Sequence, residues 1–427
     1  MARTRHSITL HGALGNPLFR RLLTAQVLAL LGTGLLTIAL SLLAVDIAGS
    51  SAGAVLGTAF TIKMVAYVGI APVISALAHR VPRKLLLVAA DAIRASVALA
   101  LPLVDEAWQI YLLIAVLQAA SATFTPAFQA ILPAVLIDED EYTQGLSCSR
   151  IAYDLEALAS PVIAIALLAV YSYDSLFLGT AAGFLLSGII VLWSALPRMP
   201  TPSAPPPFLA RILQGSRIML RRRELQALLA LDMVVAAATS IVLVNTVIHV
   251  QAMTSDTGTG VAIALACFGT ASVLAAVLVP GALRHRTDRT VMLGGAMLSV
   301  TGLAATTALV APMTSVAAGT APGIAWLPLV LAWAMMGAGT SMILTPAARL
   351  LRRGSSPTSR PAVFAAQFSL SHACFLLTYP IAGWLGLAAG QVTATLVLTL
   401  LAAAGAATAA AAWPSTDHAP RVETRGG

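Results

Sequence analysis

The chain contains little charge and little cysteine. Only 10% of its 427 residues are charged and 58% are hydrophobic, whereas about a quarter of the residues of a soluble domain are charged. This composition excludes a soluble globular protein and indicates a membrane protein. Cys148, Cys267 and Cys374 form neither a CxxC pair nor a disulfide framework, so we interpret them as small packing residues of helices.

Lysine is scarcer still, and its positions exclude an ATPase. Lys63 is followed by Met64 and Lys84 by Leu85, so the Gly-Lys-Ser/Thr element that cradles nucleotide phosphates is missing. The His-Glu-x-x-His zinc pair and the Gly-x-Ser-x-Gly nucleophile turn are missing too. We therefore expect neither enzymatic activity nor a cofactor. A sensor or scaffold of the same fold remains an alternative.

Apolar runs long enough to cross a bilayer follow one another along the chain. A hydrocarbon core of roughly 30 Å needs about 20 apolar helical residues, because the backbone must satisfy its own hydrogen bonds there. The first run follows Arg20 and Arg21 and is too long for the core of a signal peptide, so we interpret it as the first membrane helix. We predict an all-α membrane protein with twelve spans, at 22–45, 52–76, 85–104, 108–132, 146–170, 175–197, 224–249, 259–282, 290–311, 324–347, 361–386 and 390–413.

Basic residues give these spans an orientation. Lys and Arg of short loops accumulate on the cytoplasmic side. Of the 25 lysines and arginines, all but Lys63, Arg94 and Arg150 lie in alternate loops or at the two ends of the chain. The pattern predicts that both termini are cytoplasmic. Because this charge is spread over loops rather than gathered in one stripe with aromatics, the net charge of +8 does not indicate nucleic-acid binding.

A proline-rich basic segment divides the chain. Pro200, Pro202, Pro205, Pro206 and Pro207 precede an amphipathic stretch from Phe208 to Leu220. Prolines favour an extended linker, and a basic amphipathic stretch suits the anionic inner leaflet. We predict an N-terminal six-helix half at 1–200, a cytoplasmic linker at 201–223 and a C-terminal six-helix half at 224–427.

The two halves repeat three landmarks in the same order. Leu77-Ala-His-Arg-Val-Pro-Arg-Lys84 is matched by Leu283-Arg-His-Arg-Thr-Asp-Arg-Thr290, each between the second and third helix of its half. The other two pairs are prolines, which we take as hinge candidates: Pro126 with Pro346, and Pro161 with Pro380. Such a duplication predicts a binding site near the membrane midplane.

These motifs resemble the major facilitator superfamily. The signature of that family between the second and third helices is Gly-x-Leu-x-Asp-Arg-x-x-Arg-Lys, where this chain has Ser75 for the glycine and His79 for the aspartate. The resemblance implies that this loop and the third helix form an inner gate. The gate candidates are His79, Arg80, Arg83, Asp91 and Arg94, together with Arg150 and the repeat residues His285, Arg286 and Arg289. Asp91 and Arg94 could equally be a structural i,i+3 pair.

A more specific resemblance covers residues 18–200. Leu146 to Pro161 is similar to the fifth helix of bacterial nickel-resistance permeases, which lie near macrolide and siderophore exporters. Ser160-Pro161-Val-Ile-Ala164 departs from the Gly-Pro-x-x-Gly-Gly run of proton-coupled drug antiporters. The resemblance implies a drug or metal exporter, with proton antiport as the expected drive.

Ionisable residues inside the predicted spans are the candidate substrate and proton sites. Each costs about 2.5–3.5 kcal/mol on insertion scales, so they usually face a cavity or a partner. Lys63 lies too deep to snorkel and implies a carboxylate partner or an anionic substrate group. Asp154 shares a helix face with Arg150, which makes it either a proton or cation site or half of a packing pair. Glu156 points about 200° away from Asp154, and Asp232 is a carboxylate of the second half that could serve coupling or a gate.

Two histidines suggest a metal alternative. His249 and His372 lie in or beside spans, and imidazole binds nickel and cobalt well, although a lone helical histidine is more often a packing residue. Aromatic side chains could instead line a drug-sized cavity, though at helical spacing they are usually core residues: Phe60, Tyr67, Phe124, Phe128, Phe364 and Phe368.

Together these features predict a secondary active exporter in a bacterial inner membrane. We expect a monomer in the lipid bilayer that exchanges protons for a toxic small solute, either a drug-like compound or a divalent metal such as nickel or cobalt. Proton-coupled import of a nutrient is the alternative.

Overall fold

The computed structural model describes residues 11–70, 81–129, 131–197, 215–253, 257–313, 326–356 and 359–413. Every regular element in these ranges is a helix, which confirms the predicted all-α class. Contacts between residues separate two compact units. The first unit is Met1–Ala39 with Gly69–Ala204, and the second unit is Leu40–Val68 with Pro205–Gly427. Residues 40–68 thus pack with the second unit, while the predicted boundaries at 200 and 223 stay a prediction.

The first part of the chain contains six long helices and two short ones, α1 and α6. In chain order they are α1 (His11–Gly15), α2 (Pro17–Ala48), α3 (Ala52–Val65), α4 (Arg83–Ala100), α5 (Ala107–Gln129), α6 (Leu132–Val135), α7 (Glu139–Leu168) and α8 (Asp174–Trp193). A single 3-10 turn, Gly49–Ser51, separates α2 from α3, and a π turn, Ala66–Ile70, continues α3.

The later helices follow the same plan. They are α9 (Arg223–Ser240), α10 (Thr246–Met253), α11 (Thr257–Ala282), α12 (Asp288–Met313), α13 (Trp326–Arg353), α14 (Arg360–Pro380), α15 (Gly386–Ala389) and α16 (Gln391–Ala412). Two further π turns, Ile241–Asn245 and Ile381–Leu385, join α9 to α10 and α14 to α15. π turns inside helices are often found at functional sites.

Ten segments of the described chain are long and apolar enough to cross a membrane: Pro17–Val68, Arg83–Leu103, Ala107–Phe124, Asp174–Trp193, Arg223–Met253, Gly258–Ala282, Asp288–Ala311, Trp326–Arg353, Ala362–Ala389 and Gln391–Ala412. The first of these, 52 residues long, runs through two of the predicted spans. The predicted span at 146–170 falls mostly within α7. The apolar part of that helix, Ala159–Leu168, is shorter than the ten segments. The protein is therefore a multi-pass membrane protein, and the count of twelve stays a prediction.

Each unit has its own close packing. In the first unit, α4 packs on α5 and α8, and Thr180 Oγ1 of α8 donates to the Gly32 carbonyl of α2 at 3.0 Å. In the second unit, α9 is buried on nearly all sides from Leu231 to Ala238 and packs against α14 and α16. A helix that is apolar and buried all round belongs to the centre of its bundle, so α9 is the core helix of the second unit.

Candidate functional site

One group of side chains in the second unit combines charge with aromatic rings. We call Lys63, Tyr67, Phe368 and His372 the midspan cluster. Its ring centroids lie 4.1 Å apart for Phe368 and His372, 5.8 Å for Tyr67 and His372 and 6.3 Å for Tyr67 and Phe368. Lys63 acts electrostatically on His372. Two residues that the sequence proposes separately, Lys63 and His372, are thus brought together.

Helix geometry explains this cluster. Lys63 and Tyr67 are four apart on α3 and its π turn, and Phe368 and His372 are four apart on α14, so each pair lies on one helix face. At 1.5 Å per residue, Lys63 lies about 17 Å from the start of α3 and His372 about 18 Å from the start of α14. Both depths are close to the middle of a hydrocarbon core of roughly 30 Å. The cluster therefore lies near midspan.

The His372 ring is fixed by its own helix. Its Nδ1 lies 2.6 Å from the Phe368 carbonyl oxygen, and because a carbonyl only accepts, Nδ1 carries the proton and donates. Ser371 Oγ also lies 3.4 Å from this nitrogen. The ring plane is thereby held against Phe368 and Tyr67.

A row of rings continues from the midspan cluster along the same face of α14. Phe375 lies 6.3 Å from His372 and 5.3 Å from Tyr379, and Tyr379 stacks on Phe60 of α3 at 5.2 Å. Phe60 and Tyr379 are buried, whereas Phe368 is 43% exposed. The row therefore closes at one end and is open at the midspan cluster.

Glycines bring α3 and α14 together beyond this row. A Cβ added to Gly57 would lie 2.8 Å from the Tyr379 carbonyl oxygen and 2.9 Å from Gly383 Cα, so only a residue without a side chain fits there. Trp384 Nε1 donates to Thr58 Oγ1 at 2.8 Å. The π turn after Pro380 thus lies directly against α3.

An adjacent face of α14 contacts a buried carboxylate of another helix. Gln367 Nε2 donates to Asp232 Oδ2 of α9 at 2.8 Å, and Asp232 is only 2% exposed. Farther along, Ser240 Oγ donates to Thr378 Oγ1 at 2.7 Å. Cys374, on this face, is within electrostatic reach of Asp232. Of these residues only Asp232 is a sequence candidate; an amide such as Gln367 carries no sequence signal.

His249 of α10 has a different environment from His372. Its ring packs edge-on against Trp333 at 5.9 Å, and Trp333 Nε1 donates to Thr246 Oγ1 at 2.7 Å. His249 is 3% exposed, and in the described part of the chain its Nε2 has no hydrogen-bond partner. Across the described residues no group of three His, Cys, Asp or Glu side chains could hold a metal ion.

In the first unit, Asp91 and Arg94 of α4 form the ion pair that their spacing predicts. Ser187 Oγ of α8 donates to Asp91 Oδ2 at 2.8 Å. The Arg94 guanidinium lies 4.4 Å from the ring centres of both Phe124 and Phe184. Such stacking on two aromatic faces stabilises a buried cation, so this arginine links three helices, α4, α5 and α8.

The repeat of the gate loop contains a buried aspartate that was not among the candidates. Asp288, at the start of α12, pairs with Arg349 and with Arg353 at 2.8 Å, both near the end of α13. The predicted residues His285 and Arg286 lie exposed in the turn before it. Arg289 Nη2 donates to the Ala410 carbonyl at 3.5 Å. Asp288 aligns with Pro82 of the first loop, which is a variable position of the family signature, so the alignment of the two loops does not single it out.

Two of the remaining candidates, Glu156 and Arg83, lie in helices of the first unit. Glu156 of α7 approaches α2, because its Oε1 lies 2.5 Å from where a Cβ of Gly34 would be. The side chains of Arg150 and Asp154 and the residues His79 and Arg80 lie outside the described part of the structure. Arg83 begins α4.

The four hinge candidates all occur in helices. Pro161 lies inside α7 and Pro346 inside α13, while Pro126 falls within the range of α5. Pro380 ends α14, where the π turn Ile381–Leu385 begins. Their role as hinges stays a prediction.

Related proteins of known name are efflux proteins and transporters. Macrolide efflux protein A of Streptococcus pyogenes is 23% identical over 218 residues, which is 49% of this chain and 53% of that protein. The protein of the same name from Enterococcus faecalis is 25% identical over 170 residues, 38% of this chain and 52% of that protein. The chain thus spans about half the length of these curated relatives. The MFS-type transporter YfiS of Bacillus subtilis is 29% identical over 154 residues, 35% of this chain and 37% of that protein.

Solved structures extend the likeness over nearly the whole chain. The POT family transporter PepTSo superimposes with a TM-score of 0.72 at 11% identity, covering 93% of this chain and 97% of its own. The nucleoside transporter NupG gives 0.69 at 13% identity, with 93% and 99% covered. At these identities the likeness shows the fold. The sequence model of the Major Facilitator Superfamily matches residues 22–304, two thirds of the chain. The chain belongs to the Major Facilitator Superfamily, a family of transporters.

Proposed function

We propose that this protein is a proton-coupled exporter that moves a drug-like amphiphile out of the cytoplasm across a bacterial inner membrane. The observation that carries the proposal is the arrangement of α14, which presents two neighbouring faces to different partners. One face carries Phe368 and His372 of the midspan cluster. The other face carries Gln367, which donates a hydrogen bond to Asp232.

The angle between these faces follows from helix geometry. At 100° per residue, Gln367, Cys374 and Thr378 form one stripe, and Phe368, His372, Phe375 and Tyr379 form a second stripe about 110° away. A movement or rotation of α14 therefore acts on both faces together. This is the property that coupling of a proton site to a substrate site requires.

Asp232 is the proposed proton carrier. A carboxylate inside a membrane span is costly when charged, and Asp232 is buried with an amide as its hydrogen-bond donor. An amide can serve either form of the acid, since its NH2 donates to a carboxylate and its carbonyl accepts from a carboxylic acid. The Gln367 carbonyl oxygen is buried and without a partner in the described part of the chain, so it is available to the protonated acid. Asp232 can therefore exchange a proton without losing its partner.

The midspan cluster is the proposed substrate contact. Apolar and aromatic surfaces with a few polar groups are typical of sites for small molecules, and the rings of Tyr67, Phe368 and His372 meet this description. The macrolide efflux proteins that match 38–49% of this chain support export of such a compound. Divalent metal export would instead use His372 with Asp154 or Glu156 as ligands, and His249 as a further one. The ring contacts of both histidines favour the drug-like class.

A resistance screen tests this proposal. The full chain is expressed in an efflux-deficient bacterial host, and growth is measured against a drug panel that includes erythromycin, and against nickel and cobalt. We expect raised tolerance to at least one organic compound, lost on Asp232→Asn. Unchanged tolerance to every compound, with proton-driven uptake of a nutrient, would show that the protein is an importer. If nickel tolerance rises and falls again in His372→Ala, the metal alternative is correct.

A further inference from the structure

Two arginines near the end of α13 share one buried carboxylate, and we call these three residues the arginine clamp. Arg349 donates to Asp288 Oδ1 from Nε at 3.1 Å and also from Nη2. Arg353 Nη1 donates to Asp288 Oδ2 at 2.8 Å. The side chain of Asp288 is 1% exposed, whereas those of Arg349 and Arg353 are 41% and 57% exposed. Two positive charges thus meet one negative charge at the protein surface, and the clamp as a whole is cationic.

Most donor groups of the clamp remain available. Each guanidinium has five N–H groups, and the two side chains together use three of these on Asp288. Across the described residues neither arginine has another hydrogen bond or ion pair. Because Asp288 already holds both side chains in place, a further anion loses little affinity to the ordering of these side chains.

The surroundings of the clamp are also positive. In the described part of the second unit, the other carboxylate at this end is Glu224, in the first turn of α9. This turn is close to the end of α13, since a Cβ added to Gly354 would lie 3.0 Å from Leu225. Glu224 follows the exposed arginines 221–223, and Arg352 of α13 is exposed as well. An anion at the clamp therefore meets a net positive charge.

The length of α13 places the clamp at the level of lipid head groups. The helix begins at Trp326, a residue type common at membrane–water interfaces. At 1.5 Å per residue Arg349 lies about 35 Å farther along, beyond a hydrocarbon core of roughly 30 Å. The exposed guanidinium groups are therefore next to the phosphate layer of the membrane.

Apolar surface for acyl chains lies beside the clamp, near the end of α11. The backbone of Phe268 in α11 contacts Gly337 of α13, and the two helices are parallel because each is antiparallel to α12. Leu278 and Arg349 lie about 15 and 18 Å beyond this contact, so they are nearly level. Val277 and Leu278 are 71% and 69% exposed. A molecule that has both a phosphate and acyl chains can contact the two surfaces together.

We infer that the arginine clamp binds the phosphate of an anionic phospholipid such as phosphatidylglycerol, with the acyl chains along the exposed apolar end of α11. Guanidinium groups match phosphate oxygens in pairs of parallel hydrogen bonds. A net negative lipid is favoured over a zwitterionic one because the clamp keeps a positive charge. The inference is independent of the proposed export.

Native mass spectrometry of the purified full chain in detergent tests the inference. The protein is titrated with dioleoyl phosphatidylglycerol or with dioleoyl phosphatidylcholine, which have the same acyl chains, and glycerol phosphate is added as a competitor without acyl chains. The variants are Arg353→Gln and Arg349→Gln, each of which leaves one arginine on Asp288. The matched control Arg352→Gln removes the same charge from the same turn of α13, at a residue that is not paired with Asp288.

We expect the wild type to bind phosphatidylglycerol about tenfold or more tightly than phosphatidylcholine. Arg353→Gln and Arg349→Gln should each weaken phosphatidylglycerol binding about tenfold, the usual effect of losing a hydrogen bond to a charged group. Phosphatidylcholine binding should stay almost unchanged in both variants, which also shows that they are folded. Arg352→Gln should weaken phosphatidylglycerol binding less than about threefold, as is usual for an exposed charge.

Equal binding of the two lipids by the wild type would overturn the inference. An equal loss in Arg352→Gln and Arg353→Gln would do so as well, since it would assign the preference to diffuse surface charge. Displacement of the lipid by an equal concentration of glycerol phosphate would show a site for soluble phosphates instead. A loss of both lipids in both clamp variants would show that the clamp supports the fold rather than the lipid.

Discussion

At the scale of single residues, the Asp232–Gln367 pair is the simplest place to test proton coupling. Asp232→Asn keeps the size of the side chain and its contact with Gln367 but removes the exchangeable proton. We expect it to abolish proton-driven efflux while the binding of the exported compound remains. Uptake in liposomes under a pH gradient and fluorescence binding give the two readings.

A matched control is available for this change. Asp174→Asn alters an exposed carboxylate at the start of α8 and should leave efflux unchanged. Undiminished proton-driven efflux by Asp232→Asn would assign the proton to another group, with Glu156 and Asp154 as the next candidates.

The Asp91–Arg94 pair tests a structural role at the same scale. Removing one member of a buried ion pair typically costs about 3–5 kcal/mol, because the other charge is left buried. Arg94→Met should therefore lower the thermal stability of the purified protein sharply. The double variant Asp91→Asn with Arg94→Met should recover much of this loss, as neither charge remains.

Stability is measured by heating the detergent-solubilised protein and following the monodisperse fraction by size-exclusion chromatography. A double variant less stable than Arg94→Met would contradict this account. It would show that the Asp91 carboxylate stabilises the protein through a contact other than Arg94, such as the hydrogen bond from Ser187.

Residue identity alone predicted only part of this picture. Lys63, Asp232 and His372 were recognisable because a charged or titratable side chain in an apolar run is unusual. Gln367 and Ser187 were missed since an uncharged amide or hydroxyl in an apolar run does not stand out as a charged side chain does. The partners of Asp288, Arg349 and Arg353, lie 61 and 65 residues away, so their pairing depends on the packing of α12 on α13.

At the scale of elements, the glycine contact between α3 and the π turn Ile381–Leu385 allows a further prediction. A Cβ at Gly57 would lie 2.8 Å from a backbone oxygen, and overpacking of this kind typically costs about 1–3 kcal/mol. Gly57→Ala should therefore lower thermal stability and disturb the rings of Phe60 and Tyr379 next to it.

Gly281 is the control for this substitution. It lies in α11 with no atom within 4 Å of an added Cβ, and Gly to Ala in an open helical position is neutral or stabilising by about 0.5–1 kcal/mol. Equal thermal stability of Gly57→Ala and Gly281→Ala would mean that α3 is not closely packed on the π turn.

The π turns themselves could not be predicted from the sequence. Hydrophobic spacing distinguishes helix from strand, but one residue inserted into a helical turn hardly changes the pattern. Pro380 gave a partial signal, since a proline inside a helix frees a backbone carbonyl. In the structure Asn245 Nδ2 donates to the Ala382 carbonyl at 3.1 Å, which satisfies a backbone group within that π turn.

At the scale of the whole molecule, loop charge predicts which ends of the helices face the cytoplasm. In a cysteine-free background, single cysteines at Arg217 and Arg284 should be inside and one at Ser172 outside. A membrane-impermeant maleimide added to intact cells should label Ser172→Cys alone, and all three after permeabilisation. The reverse pattern would invert the predicted orientation. Labelling of the cysteines at Arg217 and Arg284 from opposite sides of the membrane would contradict the count of twelve spans.

The most direct test of the central claim, proton-coupled export, is a pH-jump experiment on the reconstituted full chain. Liposomes with an acidic lumen are diluted into neutral buffer with erythromycin or another compound of the drug panel outside. Liposomes without the protein correct for passive distribution. We predict accumulation of at least one compound inside as protons leave, abolished by Asp232→Asn. Movement that is the same without a pH gradient, or accumulation only when the gradient is reversed so that protons enter with the compound, would contradict the account.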